Sequence, residues 1–139
     1  MIAYVDSSVL LRFVLGQRGA LKEWTSIEYA VASALVQVEC LRTLDRLKLE
    51  QRIADDEISE RRATVFELLK SVELFDITGL VLERASQPLA TVLGTLDAIH
   101  LATALLWREA NENDLTMATH DTALATASRA TGFAVIGVG

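Results

Sequence analysis

Short β-branched apolar runs alternate with helix-forming segments along the whole 139-residue chain, and this alternation limits the possible folds more than any other feature. Ile2 to Val5 is a strand-like run ending at Asp6, and Ser7-Ser8 precede a helical stretch, Val9 to Leu15, closed by Gly16. The pattern predicts a helix over Leu21 to Ile27 and a second strand over Tyr29 to Ala32, with Ser33 as N-cap for a long helix over 34–49. Asp55-Asp56 open a further helix running to about Val72, with Val65, Leu68 and Leu69 on its apolar side. A third strand is predicted at Leu74 to Ile77, a short helix at Leu80 to Ser86 and a long one at Leu96 to Ala110, with the only proline, Pro88, between them. Leu115 to Thr119 reads as a fourth strand, Thr122 to Ala130 as the last helix, stopped by Gly132, and Phe133 to Ile136 as the final strand. Strands alternating with helices imply an α/β fold, with a parallel sheet, right-handed crossovers and helices on both faces. The length suits one domain over residues 1–139. In such sheets ligands bind beyond the carboxyl ends of the strands.

Four acidic residues fall at that edge. Asp6 directly follows the first strand, and Asp121 comes two residues after the fourth. Glu39 lies in the second turn of the helix after strand two, and Asp97 in the first turn of the helix leading back toward strand four. Each has a plainer explanation. An aspartate at a strand-to-helix junction is often only an N-cap, and Glu39, interrupting the apolar run Leu35 to Leu41, belongs on an outer, solvated face. Taken together, four crowded carboxylates repel one another unless a cation compensates them. All-oxygen ligands favour Mg²⁺ or Mn²⁺, and Mg²⁺ commonly bridges to substrate phosphates.

Composition narrows the function classes. Hydrophobic residues make up 51% of the chain, which excludes a disordered protein, and the mean hydropathy of +0.31 suggests an apolar patch covered by a second copy or another protein. No stretch of about 18 apolar residues is present, and the N-terminus lacks the layout of a signal peptide, so the expected location is the cytoplasm. Cys40 stands alone in an apolar helical pattern, which leaves it a packing role and excludes disulfides or a cysteine metal site. The net charge of -6 argues against binding nucleic acid through a broad basic surface, unless several carboxylates surround bound cations.

The chain resembles PIN-domain nucleases, above all the VapC-type toxins of toxin–antitoxin pairs. The resemblance is carried by Tyr4-Val5-Asp6-Ser7-Ser8, Val36-Gln37-Val38-Glu39, Leu96-Asp97-Ala98-Ile99-His100-Leu101-Ala102-Thr103-Ala104 and Ala118-Thr119-His120-Asp121. The run beginning Leu96-Asp97 is the most specific element, and the match spans nearly the whole chain. It implies a three-layer α/β/α sandwich with a mostly parallel sheet of about five strands, a homodimer, an inhibiting antitoxin partner and cleavage of structured RNA such as tRNA or rRNA. By carry-over, Asp6 and Asp97 are the principal metal ligands, Glu39 and Asp121 complete the site directly or through water, and Thr119 orients a bound water. The implied activity is that of a Mg²⁺- or Mn²⁺-dependent endoribonuclease in which a metal-activated water attacks phosphorus.

Asp97 and His100 are three apart on one helical face, a spacing at which two ligands can share a cation, although a structural His100 is the preferred reading. His120 adjoins Asp121, but cleavage driven by imidazoles needs two well-placed histidines, and the chain has two in total. Arg12, Arg42 and Arg46 lie on helices starting at the acidic edge, within reach of flanking phosphates, with solvated helix charge as the simpler account. An aspartate phosphatase or receiver-like domain is disfavoured, because no second acid adjoins Asp6, and a P-loop is absent. The alternative from another class is a catalytically silent PIN-like module that binds an antitoxin or RNA.

Overall fold

The computed structural model of the chain describes residues 1–138. β1 (Ile2–Val5) leads into α1 (Ser7–Val14), and a 3-10 turn at Trp24–Ser26 precedes β2 (Tyr29–Ser33). Two helices follow, α2 (Leu35–Leu49) and α3 (Asp55–Leu69), then β3 (Val72–Phe75), α4 (Gly79–Ala85) and α5 (Thr95–Asn111). β4 (Thr116–Ala118), α6 (Thr122–Ala130) and β5 (Ala134–Ile136) complete the described residues. The five strands lie in the order β3-β2-β1-β4-β5 and every pairing is parallel.

The two-residue period of the strands divides the core. Ala3 and Val5 of β1 pack with Ala32 and Ala118 against α1, α2 and α3, through Val9, Val36 and Leu44 among others. Tyr4, pointing the other way, packs with Val31 and Met117 against Leu101 of α5 and Leu124 of α6. The sheet is thus covered on both faces, which is why its strands are continuously apolar. Every residue of α5 from Ala98 to Leu105 is buried, because the sheet lies under the helix and α4 and α6 flank it. Among the described residues, no helix is long and apolar enough to cross a membrane.

Two elements depart from the sequence expectation. Leu21 to Ile27 makes only the single 3-10 turn at Trp24–Ser26, which has no side-chain N-cap, unlike the equally short α4 capped by Thr78. Leu21 is instead buried in the core and Trp24 stacks on Phe13 of α1, with ring centroids 4.8 Å apart. The third strand runs from Val72 to Phe75, two residues earlier than expected, and α3 ends correspondingly at Leu69. The pairing of Val72 with Ala30 and of Phe75 with Ser33 sets this register, and a shift of two leaves the same side chains on the same faces.

Candidate active site

Connections from β1 run outward through β2 to β3, whereas the chain returns from β3 to the other side of β1 and continues from β4 to β5. β1 and β4 are therefore neighbours whose successors depart in opposite directions, the position at which open α/β sheets commonly bind ligands beyond the carboxyl ends of the strands. Asp6 leaves β1 at this point, and Thr119, His120 and Asp121 leave β4. Ser33 closes β2 on the same edge and delivers the chain to α2, which carries Glu39.

Asp6 is only 3% exposed and is held from three directions. Its Oδ1 accepts hydrogen bonds from the Ser8 hydroxyl at 2.6 Å and the Val9 amide at 3.2 Å, and its Oδ2 accepts one from the fully buried Thr119 hydroxyl. Ser8 Oγ in turn accepts the His120 amide at 2.9 Å, and Thr119 Oγ1 accepts the Asp121 amide at 2.9 Å. These bonds stitch the ends of β1 and β4 together through the carboxylate. The Asp121 Oδ1 accepts the Leu124 amide at 2.8 Å and so caps α6, as Asp6 caps α1. N-capping is thus real at both positions, yet it occupies one oxygen of each carboxylate and leaves further acceptor capacity.

Asp97 has no such employment: Gly94 is the N-cap of α5, and Asp97 sits in its first turn. Burial raises its pKa to about 6, the charges of Asp121, Asp6 and Glu39 push the same way, and only His100 opposes them. No hydrogen-bond donor offsets this. The four acids named from the sequence are therefore electrostatic neighbours. Among the described residues, however, no group of three or more His, Cys, Asp or Glu side chains is drawn together closely enough to hold a metal ion.

Glu39 corrects one expectation. It does not lie on a solvated outer face: its side chain is 17% exposed, and Oε1 lies 2.6 Å from Nε2 of His100. The exposed positions on that turn are Gln37 and Val38 instead. His100 is 1% exposed, with Nδ1 2.7 Å from the Tyr4 hydroxyl, which also accepts the Ser33 amide at 3.2 Å. Burial lifts the Tyr4 phenol well above its ordinary pKa, so it stays protonated. Sequence reasoning missed Tyr4 and the Ser8 bridge. A tyrosine between Ala3 and Val5 in a buried strand was the available signal, since a buried phenol needs a partner.

Neighbouring groups fall into place around this core. His120 Nδ1 donates to the Gly137 carbonyl at 2.7 Å. Cys40 is buried, and burial with the Glu39 and Asp6 charges pushes its thiol up to about 12, an inert packing thiol. Arg12 donates to the Gly19 carbonyl at 3.2 Å and Arg42 pairs with Asp45 at 3.3 Å, local uses of two of the three arginines considered from the sequence.

A family model for the PIN domain matches residues 3–130. No curated protein matches the chain significantly. Among solved structures, the chain is similar to a toxin–antitoxin complex from Klebsiella pneumoniae, with 20% identity over 99% of this chain and 95% of that one and a TM-score of 0.64. It is similar to VapC20 of Mycobacterium tuberculosis, described as a sarcin–ricin-loop-cleaving toxin, at 18% identity, 96% coverage of both chains and a TM-score of 0.62. A third likeness is to FitAB bound to an IR36 DNA fragment, at 16% identity, covering 98% of this chain and 94% of that one, with a TM-score of 0.71. At these identities the likeness is one of fold.

Proposed function

The chain belongs to the PIN-domain family, and on that footing we propose that it is a divalent-metal-dependent endoribonuclease, the toxin of a type II toxin–antitoxin pair. The observation that carries this reading is Asp97, a half-buried carboxyl raised to about 6 among Asp121, Asp6 and Glu39 without a donor to compensate it. A hard cation is the natural compensator for such a group.

The residues fit Mg²⁺ or Mn²⁺ on the chemistry of their donors. All are carboxylate oxygens; Asp97 is uncommitted, Asp6 and Asp121 retain acceptor capacity after capping, and Glu39 offers the oxygen His100 does not use. No three of the acids are gathered into a ready-made cluster, and Mg²⁺, which keeps several waters, would need only one or two of them as direct ligands. Asp6 and Asp97 would hold the ion, with Glu39 and Asp121 completing the site directly or through water. Bound there, the cation supplies positive charge that acidifies a water and steadies the leaving oxygen at phosphorus. Whichever of Glu39 and Asp121 did not bind the ion directly would keep an oxygen able to receive a water's proton. Thr119, whose hydroxyl is spent on Asp6, acts by holding that carboxylate in place.

Structured RNA, tRNA or rRNA, is the proposed substrate, consistent with the description of the Mycobacterium neighbour. The toxin–antitoxin neighbours support an antitoxin partner, and cytoplasmic residence goes with both. Exposed apolar side chains, among them Leu80, Leu82, Val92 and Leu96, are in keeping with burial against a second copy or an antitoxin. A solution mass equal to the 15.2 kDa chain alone would contradict the homodimer. A second reading is a silent module that binds antitoxin or RNA without cutting, and the net charge of -6 favours its antitoxin-binding form. Incubating purified protein with a structured RNA pool in Mg²⁺, Mn²⁺ or EDTA, beside Asp97→Asn, separates the two. Metal-dependent cutting lost in the variant is expected; cutting that survives EDTA and the substitution overturns the site, and no cutting across several RNA classes leaves the silent module.

A further inference from the structure

Two polar side chains, Tyr4 at 0% and His100 at 1% exposure, lie between α5 and the sheet, where aliphatic residues would pack without any need for partners. Their hydrogen bonds run in one direction. An ionised Glu39 can only accept, so His100 Nε2 carries the hydrogen in the 2.6 Å contact. A neutral imidazole that donates from Nε2 has an unprotonated Nδ1, which accepts the Tyr4 phenol hydrogen at 2.7 Å while the phenol oxygen accepts the Ser33 amide. The chain Ser33 to Tyr4 to His100 to Glu39 draws on β2, β1, α5 and α2 in turn and ends on a carboxylate of the proposed site.

We propose that His100 is a positioning residue that fixes the Glu39 carboxylate for divalent-cation binding, with Tyr4 fixing the tautomer and orientation of the imidazole. This rests on the metal reading above. A glutamate has three side-chain torsions, and a partly exposed one would have to give up that freedom whenever the ion binds. The charge-assisted bond from a buried ring removes that freedom beforehand and leaves Oε2 for the cation or one of its waters. His100 also stands one turn from Asp97 on α5, so one rigid helix sets both a proposed ligand and the group that aims another.

The test is calorimetric titration of Mn²⁺ into the full chain, free of RNA, for the natural protein, His100→Leu, His100→Gln and Tyr4→Phe, with thermal melts of each. His100→Leu is expected to weaken Mn²⁺ binding about 10- to 100-fold, the usual consequence of losing such a supporting bond. His100→Gln, which restores an N–H near the lost one, is expected to recover most of that loss. In RNA cleavage the Leu variant should lose kcat at unchanged KM. Unchanged Mn²⁺ affinity in His100→Leu, or a Gln variant as weak as the Leu variant, overturns the positioning role while the metal reading stands. Should His100→Leu not fold, Tyr4→Phe, which deletes one oxygen, decides: weakened affinity supports the role and unchanged affinity overturns it. A natural protein that binds no Mn²⁺ overturns the metal reading itself and this role with it.

Discussion

Asp97, the carboxyl on which the proposed site rests, carries a cost in stability. Its carboxyl titrates at about 6 in the folded chain against 3.8 for the free group, so the folded state binds this proton more tightly. The resulting stabilisation is full below pH 3.8 and disappears as the pH rises through about 6. Metal-free protein should therefore be less stable at pH 8 than at pH 5 through this group, by on the order of 1 kcal/mol once the solvent screening of a half-exposed carboxyl is allowed for. Asp97→Asn should flatten that dependence and melt higher than the natural protein at pH 8 in EDTA while abolishing cleavage. Parallel pH profiles for the two proteins would contradict the crowding of charge. The order and spacing of the four acids were legible in the sequence, but capping and the proposed metal ligation call for the same positions, and Asp6 and Asp121 show that a carboxylate can cap and still retain a free acceptor site. The Glu39–His100 and Tyr4–His100 bonds join residues 61 and 96 apart, and no local pattern announces a contact at that range.

Among the elements, the strands and the long helix α5 were legible because β-branched runs and a long Leu- and Ala-rich segment leave little choice. The start of β3 was not, since only its pairing with Ala30 to Ser33 decides where the strand begins. The exit of β5 carries an unforeseen constraint. Gly137 has φ +103°, and a side chain there would collide with the Thr119 carbonyl, beside the imidazole that Gly137 itself holds. Gly137→Ala should destabilise the protein by about 1–3 kcal/mol and, by displacing Thr119 from Asp6, lower cleavage as well. Thermal melts and a cleavage assay check both parts, and a variant as stable and active as the natural chain would contradict this close approach.

At the scale of the molecule, the reversal of strand order between β1 and β4 gathers Asp6 and Asp121 from opposite ends of the sequence, while α2 and α5 bring Glu39 and Asp97 from either face of the sheet. Alternation of strands and helices predicted the carboxyl edge as the place for a site, although it could not say which strands would be neighbours there. A net charge of -6 is easier to reconcile with an RNA substrate if part of it is neutralised at that edge. Anomalous scattering from crystals of the full chain soaked in Mn²⁺ tests the central claim most directly. The account predicts a peak in contact with Asp97 and Asp6, near Asp121 and Glu39, that is lost in Asp97→Asn; a peak elsewhere, or none at saturating Mn²⁺, would contradict it.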